Sequence, residues 1–190
     1  MLSDAFATAG MPCLWKTVEA VTRVRVDHTV QISSTAFTKL VDELGGVELT
    51  LPRTVHDPKS GLRLPAGRSL LDGEEALAYT RSGSAPGGDS ARARAQRRQQ
   101  VMAALLKKAG ERLAEPARLL TFLKKASGLV ATDTGLNPQK ISAIALEIAQ
   151  ARPASVHSLP VPVRPSSTGS GHLELSHPAA DRLFRRFADR

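Results

Sequence analysis

The sequence predicts an α/β layered domain, and three observations carry that expectation. Segments with the 3.6-residue apolar period of helices alternate with segments of period two, in the order helix, strand, helix, strand from Leu14 to Leu51. Capping and turn residues stand where those segments begin and end. The 190 residues, 42% apolar and 23% charged, suffice for one buried core and fit neither a disordered chain nor a coiled coil.

Leu14, Val18 and Val21 recur at helical spacing up to Arg23 and Arg25. Val26, Val30 and Ile32 then alternate with Asp27, Thr29 and Gln31 as in a half-buried strand. That pattern turns His28 to the apolar face, where an interior hydrogen-bonded residue is a better reading than a ligand. Phe37, Leu40, Val41 and Leu44 form the stripe of a second helix, stopped by Gly45-Gly46. Val47, Leu49 and Leu51 alternate with polar residues as a strand.

Residues 52–71 carry Pro52, Pro58 and Pro65 and predict a loop or short hairpin, with Asp57 as a turn acceptor in preference to a ligand. Asp72-Gly73-Glu74-Glu75 has capping-box spacing and opens a short helix through Ala76, Leu77 and Tyr79. A Ser/Gly connector from Ser82 to Gly88 leads into a long helix from about Ser90 to Leu113. Leu119, Leu120 and Leu123 mark a helix ending near Gly128, and Asn137-Pro138 opens another with Ile141, Ile144, Ala145 and Ile148 on one face. Val156 to Val163 is a proline-broken strand suited to a sheet edge, and Pro178 begins a last helix with Leu183, Phe184 and Phe187 inward. No internal repeat or long linker interrupts the pattern, so residues 1–190 read as a single domain.

Lys and Arg number 26 against 18 Asp and Glu, a formal charge of +8 that favours an anionic partner: nucleic acid, phospholipid or a phosphorylated substrate. Aromatic residues are only 4%, with one Trp and one Tyr, too few for a base-stacking platform; phosphate is the better candidate. Cys13 is the sole cysteine, so no internal disulfide forms. The start lacks a signal-peptide pattern, and no run approaches the roughly 18 apolar residues of a membrane span, so the chain as written reads as soluble.

The most informative segment is Arg81 to Gln100, with Arg81, Asp89, Arg92, Arg94, Arg97, Arg98 and Gln99 leading into Val101, Met102 and Leu105. Arg97, Val101 and Leu105 are spaced by four, as are Arg94, Arg98 and Met102, so three arginines extend the core stripe inward or into a cleft. Cations in the first turns of a helix oppose the macrodipole by about 0.3–1 kcal/mol each, which an anion would offset. Guanidinium forks after a glycine-rich loop suit phosphate or pyrophosphate, with Asp89 or Ser90 as cap. A solvated basic helix end fits the same residues, and both readings stand at this point. A DNA-reading helix lacks any accompanying helix-turn-helix spacing or basic-zipper heptad.

Several blocks together resemble the LytR-CpsA-Psr family of cell-envelope proteins. They are Leu2 to Phe6, Lys16 to Glu19, Val26-Asp27-His28, Leu40 to Val47 with its Gly-Gly-Val, Leu64 to Gly67, Leu71 to Arg81, and the spaced Arg and Gln of Asp89 to Gln100. The resemblance implies a three-layer α/β/α fold with a mixed central sheet, whose first strands and membrane helix lie before the start of this chain. It implies a magnesium-assisted phosphotransferase that moves a glycopolymer such as teichoic acid from a polyprenyl (pyro)phosphate carrier to a peptidoglycan acceptor. The implied place is the extracytoplasmic face of the bacterial membrane, with no nucleic acid partner. Carried over by position, Arg81, Arg94, Arg97, Arg98 and Gln99 would bind pyrophosphate. Asp89, Arg92 and Arg94 would act at the reacting phosphoryl, with Asp89 orienting an arginine or standing near the acceptor hydroxyl.

This sequence departs from the family pattern at Gly83, where a second arginine is usual, and in a two-residue shift of the Asp-x-x-Arg register. The expected magnesium ligands lie in the part before Met1, so the metal residues are unknown here. The resemblance therefore also admits a non-catalytic polyprenyl-phosphate-binding remnant or a regulatory envelope protein. A chain lacking a sheet edge is expected to be less stable than a complete domain.

Overall fold

The computed structural model describes residues 2–83, 88, 90–113, 115–150, 159–167 and 173–188. Its elements in order are α1 (Leu2–Thr22), β1 (Val30–Ile32), α2 (Ser34–Glu43), β2 (Val47–Leu51), β3 (Val55–Asp57), β4 (Leu62–Leu64), β5 (Gly67–Leu71) and α3 (Gly73–Arg81). There follow α4 (Ala91–Arg112), α5 (Pro116–Ser127), β6 (Val130–Thr132), α6 (Pro138–Gln150), β7 (Val163–Pro165), β8 (Leu173–Leu175) and α7 (Ala179–Ala188). Helices and short strands alternate, the α/β class that the sequence predicts. The chain forms two compact units, one of Met1–Val30, Thr132–Leu136 and Leu159–Arg190, the other of Gln31–Ala131 and Asn137–Ser158.

In the second unit β2 pairs antiparallel with β5, Val47 opposite Leu71 and Leu51 opposite Gly67. The hairpin β3–β4, with Val55 opposite Leu64, is inserted between them in sequence. The short hairpin expected within 52–71 is thus present, and the segment also supplies β5. Pro52, Pro58 and Pro65 fall just outside the strands, where a missing N–H removes no ladder bond. Asp57 accepts the Lys59 N–H at 3.1 Å, the expected turn acceptor.

Val47, Leu49 and Leu51 alternate buried with exposed Glu48 and Thr50, and α4 packs on this strand. The core adds Val41 from α2, Val55, Leu62 and Leu64 from the hairpin, Leu71, Ala76 and Tyr79, and Val101 from α4. Each large apolar side chain in it contributes about 1.5–3 kcal/mol by leaving water. Ser33 caps α2 by accepting the Ala36 N–H at 3.1 Å. Gly45 and Gly46, at φ 76° and 83°, return N–H bonds to Asp42 and Val41 as the helix ends. The α2–α3 seam is tight: Gly73 lies against the Thr38 backbone, which an added Cβ would strike, and its N–H donates to Asp42 Oδ1 at 2.8 Å.

In the first unit α1 begins at Leu2, earlier than its apolar spacing indicates, and breaks at Ala9 and Gly10. The strand expected over Val26–Ile32 is confined to Val30–Ile32, where the chain passes from the first unit to the second, because side chains take the preceding backbone groups. Val26 N–H donates to Glu19 Oε1 at 2.8 Å and Thr29 N–H to Asp133 Oδ2 at 2.6 Å. His28 Nδ1 lies 3.2 Å from Asp133 Oδ1, half-buried, the interior hydrogen-bonded role expected of it.

β7 pairs antiparallel with β8. The strand expected at Val156 to Val163 is observed only at Val163–Pro165, and residues 151–158 lie outside the described residues. Phe187, expected inward, is 49% exposed, and Ile144 on α6 is 40% exposed. Asn137 caps α6 through the Lys140 N–H at 2.9 Å.

Candidate functional site

The site is built on α3 and α4 of the second unit. Asp72 and Glu75 form the expected capping box, fixing the start of α3 and hence the phase that sends Tyr79 inward and Arg81 outward. Ser90 caps α4, accepting the Ala93 N–H at 3.1 Å. Val101 anchors α4 to the core, and Arg97, one turn earlier on the same stripe, enters it too, at 1% exposure.

Arg97 meets backbone there. Its Nη2 donates to the Ser82 carbonyl at 2.6 Å and its Nη1 to the Gly88 carbonyl at 2.9 Å. One guanidinium thus ties the C-terminal cap of α3 to the approach to α4. Ser82 also hydrogen-bonds Asp57, the main cause holding that buried carboxyl below the ordinary aspartate range, aided by the Lys59 N–H and the Ser60 side chain. Beside this brace Tyr79 donates to Gln100 Oε1 at 3.2 Å, and burial pushes its phenol above the ordinary tyrosine value.

A second arginine pair faces outward. Arg81 and Arg98 line a cavity of about 410 Å³ whose wall is Ile32, Phe37, Leu77, Val101 and Met102, with Ser33, Ser34 and Thr80 among the lining. Both arginines are exposed, and Arg81 Nη2 donates to Ser34 Oγ at 2.7 Å. An apolar trough thus carries two guanidinium groups.

Of the other site residues expected from sequence, Arg94 and Gln99 are half-buried, Arg92 is exposed, and Asp89 lies outside the described residues. The trough walls Ile32, Ser34 and Phe37 were not among the expected site residues. Phe37 heads the apolar stripe of α2, which was the available signal, but nothing in the stripe indicates an open neighbour. Among the described residues no group of three or more His, Cys, Asp or Glu side chains converges to hold a metal. No helix among them is long and apolar enough to cross a membrane.

Apolar walls with guanidinium forks suit an amphiphile that carries an anionic head on an apolar tail. The chain belongs to the LytR_cpsA_psr family, whose model it matches over residues 1–188. It is 35% identical over 130 residues to the cell wall biosynthesis protein LcpA of Corynebacterium glutamicum, covering 67% of this chain and 25% of that one. It is 36% identical over 121 residues to the polyisoprenyl-teichoic acid–peptidoglycan teichoic acid transferase TagT of Bacillus subtilis, covering 60% of this chain and 37% of that one. This chain thus spans well under half the length of these curated relatives. Among solved structures, a LytR-Csp2A-Psr enzyme from Actinomyces oris superposes with a TM-score of 0.83 at 26% identity, covering 98% of this chain and 72% of that one.

Proposed function

We propose that this chain is the lipid-carrier-binding part of an envelope glycopolymer transferase, which moves a polymer from a polyprenyl pyrophosphate to peptidoglycan. The observation that carries the reading is the apolar trough bearing Arg81 and Arg98. The polyprenyl chain lies along Ile32, Phe37 and Met102, and the pyrophosphate sits against Arg81 and Arg98, with Arg94 as a further cation. In this reading Arg97, 1% exposed and anchored on the Ser82 and Gly88 carbonyls, braces the site from behind. The names of the relatives support a polyisoprenyl donor and a peptidoglycan acceptor.

In the reaction an acceptor hydroxyl oxygen bonds to the sugar-bearing phosphorus, and the bond from that phosphorus to the bridging oxygen of the lipid phosphate breaks. Polyprenyl phosphate leaves, and the hydroxyl proton passes to Asp89 or to water. Charge grows on the phosphoryl and leaving oxygens, where fixed guanidinium donors lower the barrier. Magnesium would supply charge neutralisation at the phosphates in this reading, and chelation tests for it. The place of action is the outer face of the bacterial membrane.

The test gives the chain a polyprenyl-pyrophosphate-linked saccharide and peptidoglycan, with and without EDTA, and follows both polymer transfer and lipid binding. Transfer by wild type that falls in Arg81→Ala and Arg98→Ala supports the proposal. Arginine-dependent lipid binding without transfer supports a non-catalytic carrier-binding protein instead, and absence of lipid binding overturns both.

A further inference from the structure

A second, larger depression adjoins the trough in the same unit. It measures about 1060 Å³ and lies between the β3–β4 turn, with Lys59 and Arg63, and the exposed face of α3, with Glu74 and Glu75. Leu77 and Arg81 line both cavities, so the two meet at the guanidinium assigned to pyrophosphate. The linings differ in kind. The trough is walled by aliphatic and aromatic side chains, whereas this groove balances Lys59, Arg63 and Arg81 against Asp57, Glu74 and Glu75.

Charge balance selects the occupant. A phosphodiester polymer prefers a wall of cations and is repelled by carboxylates, while a saccharide hydroxyl both donates and accepts and is served by the two together. The volume lies just above the range of roughly 300–1,000 Å³ usual for small-molecule sites, enough for more than one sugar ring. Leu77 and Ala78 add an apolar strip for the C–H face of a ring.

Position selects the role. In phosphoryl transfer the attacking and leaving oxygens lie roughly in line through phosphorus. With the lipid phosphate leaving along the trough on one side of Arg81, the incoming hydroxyl arrives from the other, where this groove opens. We propose that the groove between the β3–β4 turn and α3 is the acceptor subsite and takes a neutral, hydroxyl-rich glycan. The inference rests on the proposed function for its orientation, but the groove's affinity for neutral sugar is measurable without a lipid.

The probe is N-acetylglucosamine tetramer, added to the whole chain and followed by amide NMR, with glycerol-phosphate oligomer as the anionic comparison. Shifts confined to Lys59–Arg63 and Glu74–Arg81 are expected with the neutral sugar. Affinity should fall about tenfold in the Lys59→Ala/Glu74→Ala double variant, whose two positions are exposed. Polyprenyl-pyrophosphate binding by the same variant should match wild type. Absence of shifts in the groove, equal sugar affinity in the variant, or preference for the glycerol-phosphate oligomer would each overturn the subsite. Failure of wild type to bind the polyprenyl lipid overturns the proposed function instead, so the two failures are separable.

Discussion

Arg97 and the pair Arg81 and Arg98 belong to one basic stretch, yet they occupy opposite kinds of place. Arg97 is 1% exposed and spends its fork on the carbonyls of Ser82 and Gly88, while Arg81 and Arg98 stand exposed over an apolar trough. The difference shows that residue type and spacing nominate a cluster, and that burial divides it into a member that braces backbone and members that stand open to solvent. A guanidinium buried at 1% exposure and anchored on two carbonyls is poorly placed to reach a ligand in solvent.

The largest effect should come from breaking the interior side. Arg97→Ala leaves two backbone carbonyls without their donor and should cost roughly 3 kcal/mol, lowering Tm by about 10 °C in a chain of this size. Arg97→Lys should recover little, because one ammonium cannot reproduce the fork. A melt unchanged by Arg97→Ala would mean the brace is idle.

Gly73→Ala should follow, at roughly 2 kcal/mol, because the new methyl strikes the Thr38 backbone. Since α3 carries both Tyr79 and Arg81, this change should disturb the brace and the open pair together, read as a lower Tm with weaker lipid binding. Arg81→Ala and Arg98→Ala should do the reverse of Arg97→Ala. The melt stays within about 0.5 kcal/mol of wild type, while affinity for polyprenyl pyrophosphate falls about tenfold in each.

The smallest effect lies in the other unit and serves as the control. Asp133 is held below the ordinary aspartate value chiefly by the Thr29 N–H, with help from His28 and the Gly135 N–H. A depressed folded pKa means this stabilisation is present above the unfolded value of about 4 and is lost as pH falls through the folded one. Acid melts should therefore show a decline below pH ~4 that Asp133→Asn flattens, with lipid affinity at neutral pH unchanged.

Local chemistry was readable in the sequence wherever a few adjacent residues decide the outcome. The Asp72–Glu75 capping box, the Ser90 and Asn137 caps, the Gly45-Gly46 stop and the Asp57 turn depend on contacts within a few positions, and all are present. Legibility failed where a distant group intervenes. The Val26–Ile32 alternation shortened because Glu19 and Asp133 captured backbone N–H groups that a strand partner would have used. Four-residue spacing grouped Arg94, Arg97 and Arg98 on one inward stripe, but which one is buried depends on the carbonyls of Ser82 and Gly88. The trough was hidden for a similar reason: Ile32 and Phe37 read as ordinary core, and openness is a property of neighbours that periodicity does not record.

The Arg97 fork has a consequence for how such a chain tolerates change. It pins residues 82 and 88, so the five positions between them form a short span with both ends already fixed. Lengthening a span between fixed ends adds only about 0.6 kcal/mol for each doubling. Insertions there therefore cost little while the helices on either side keep their footing.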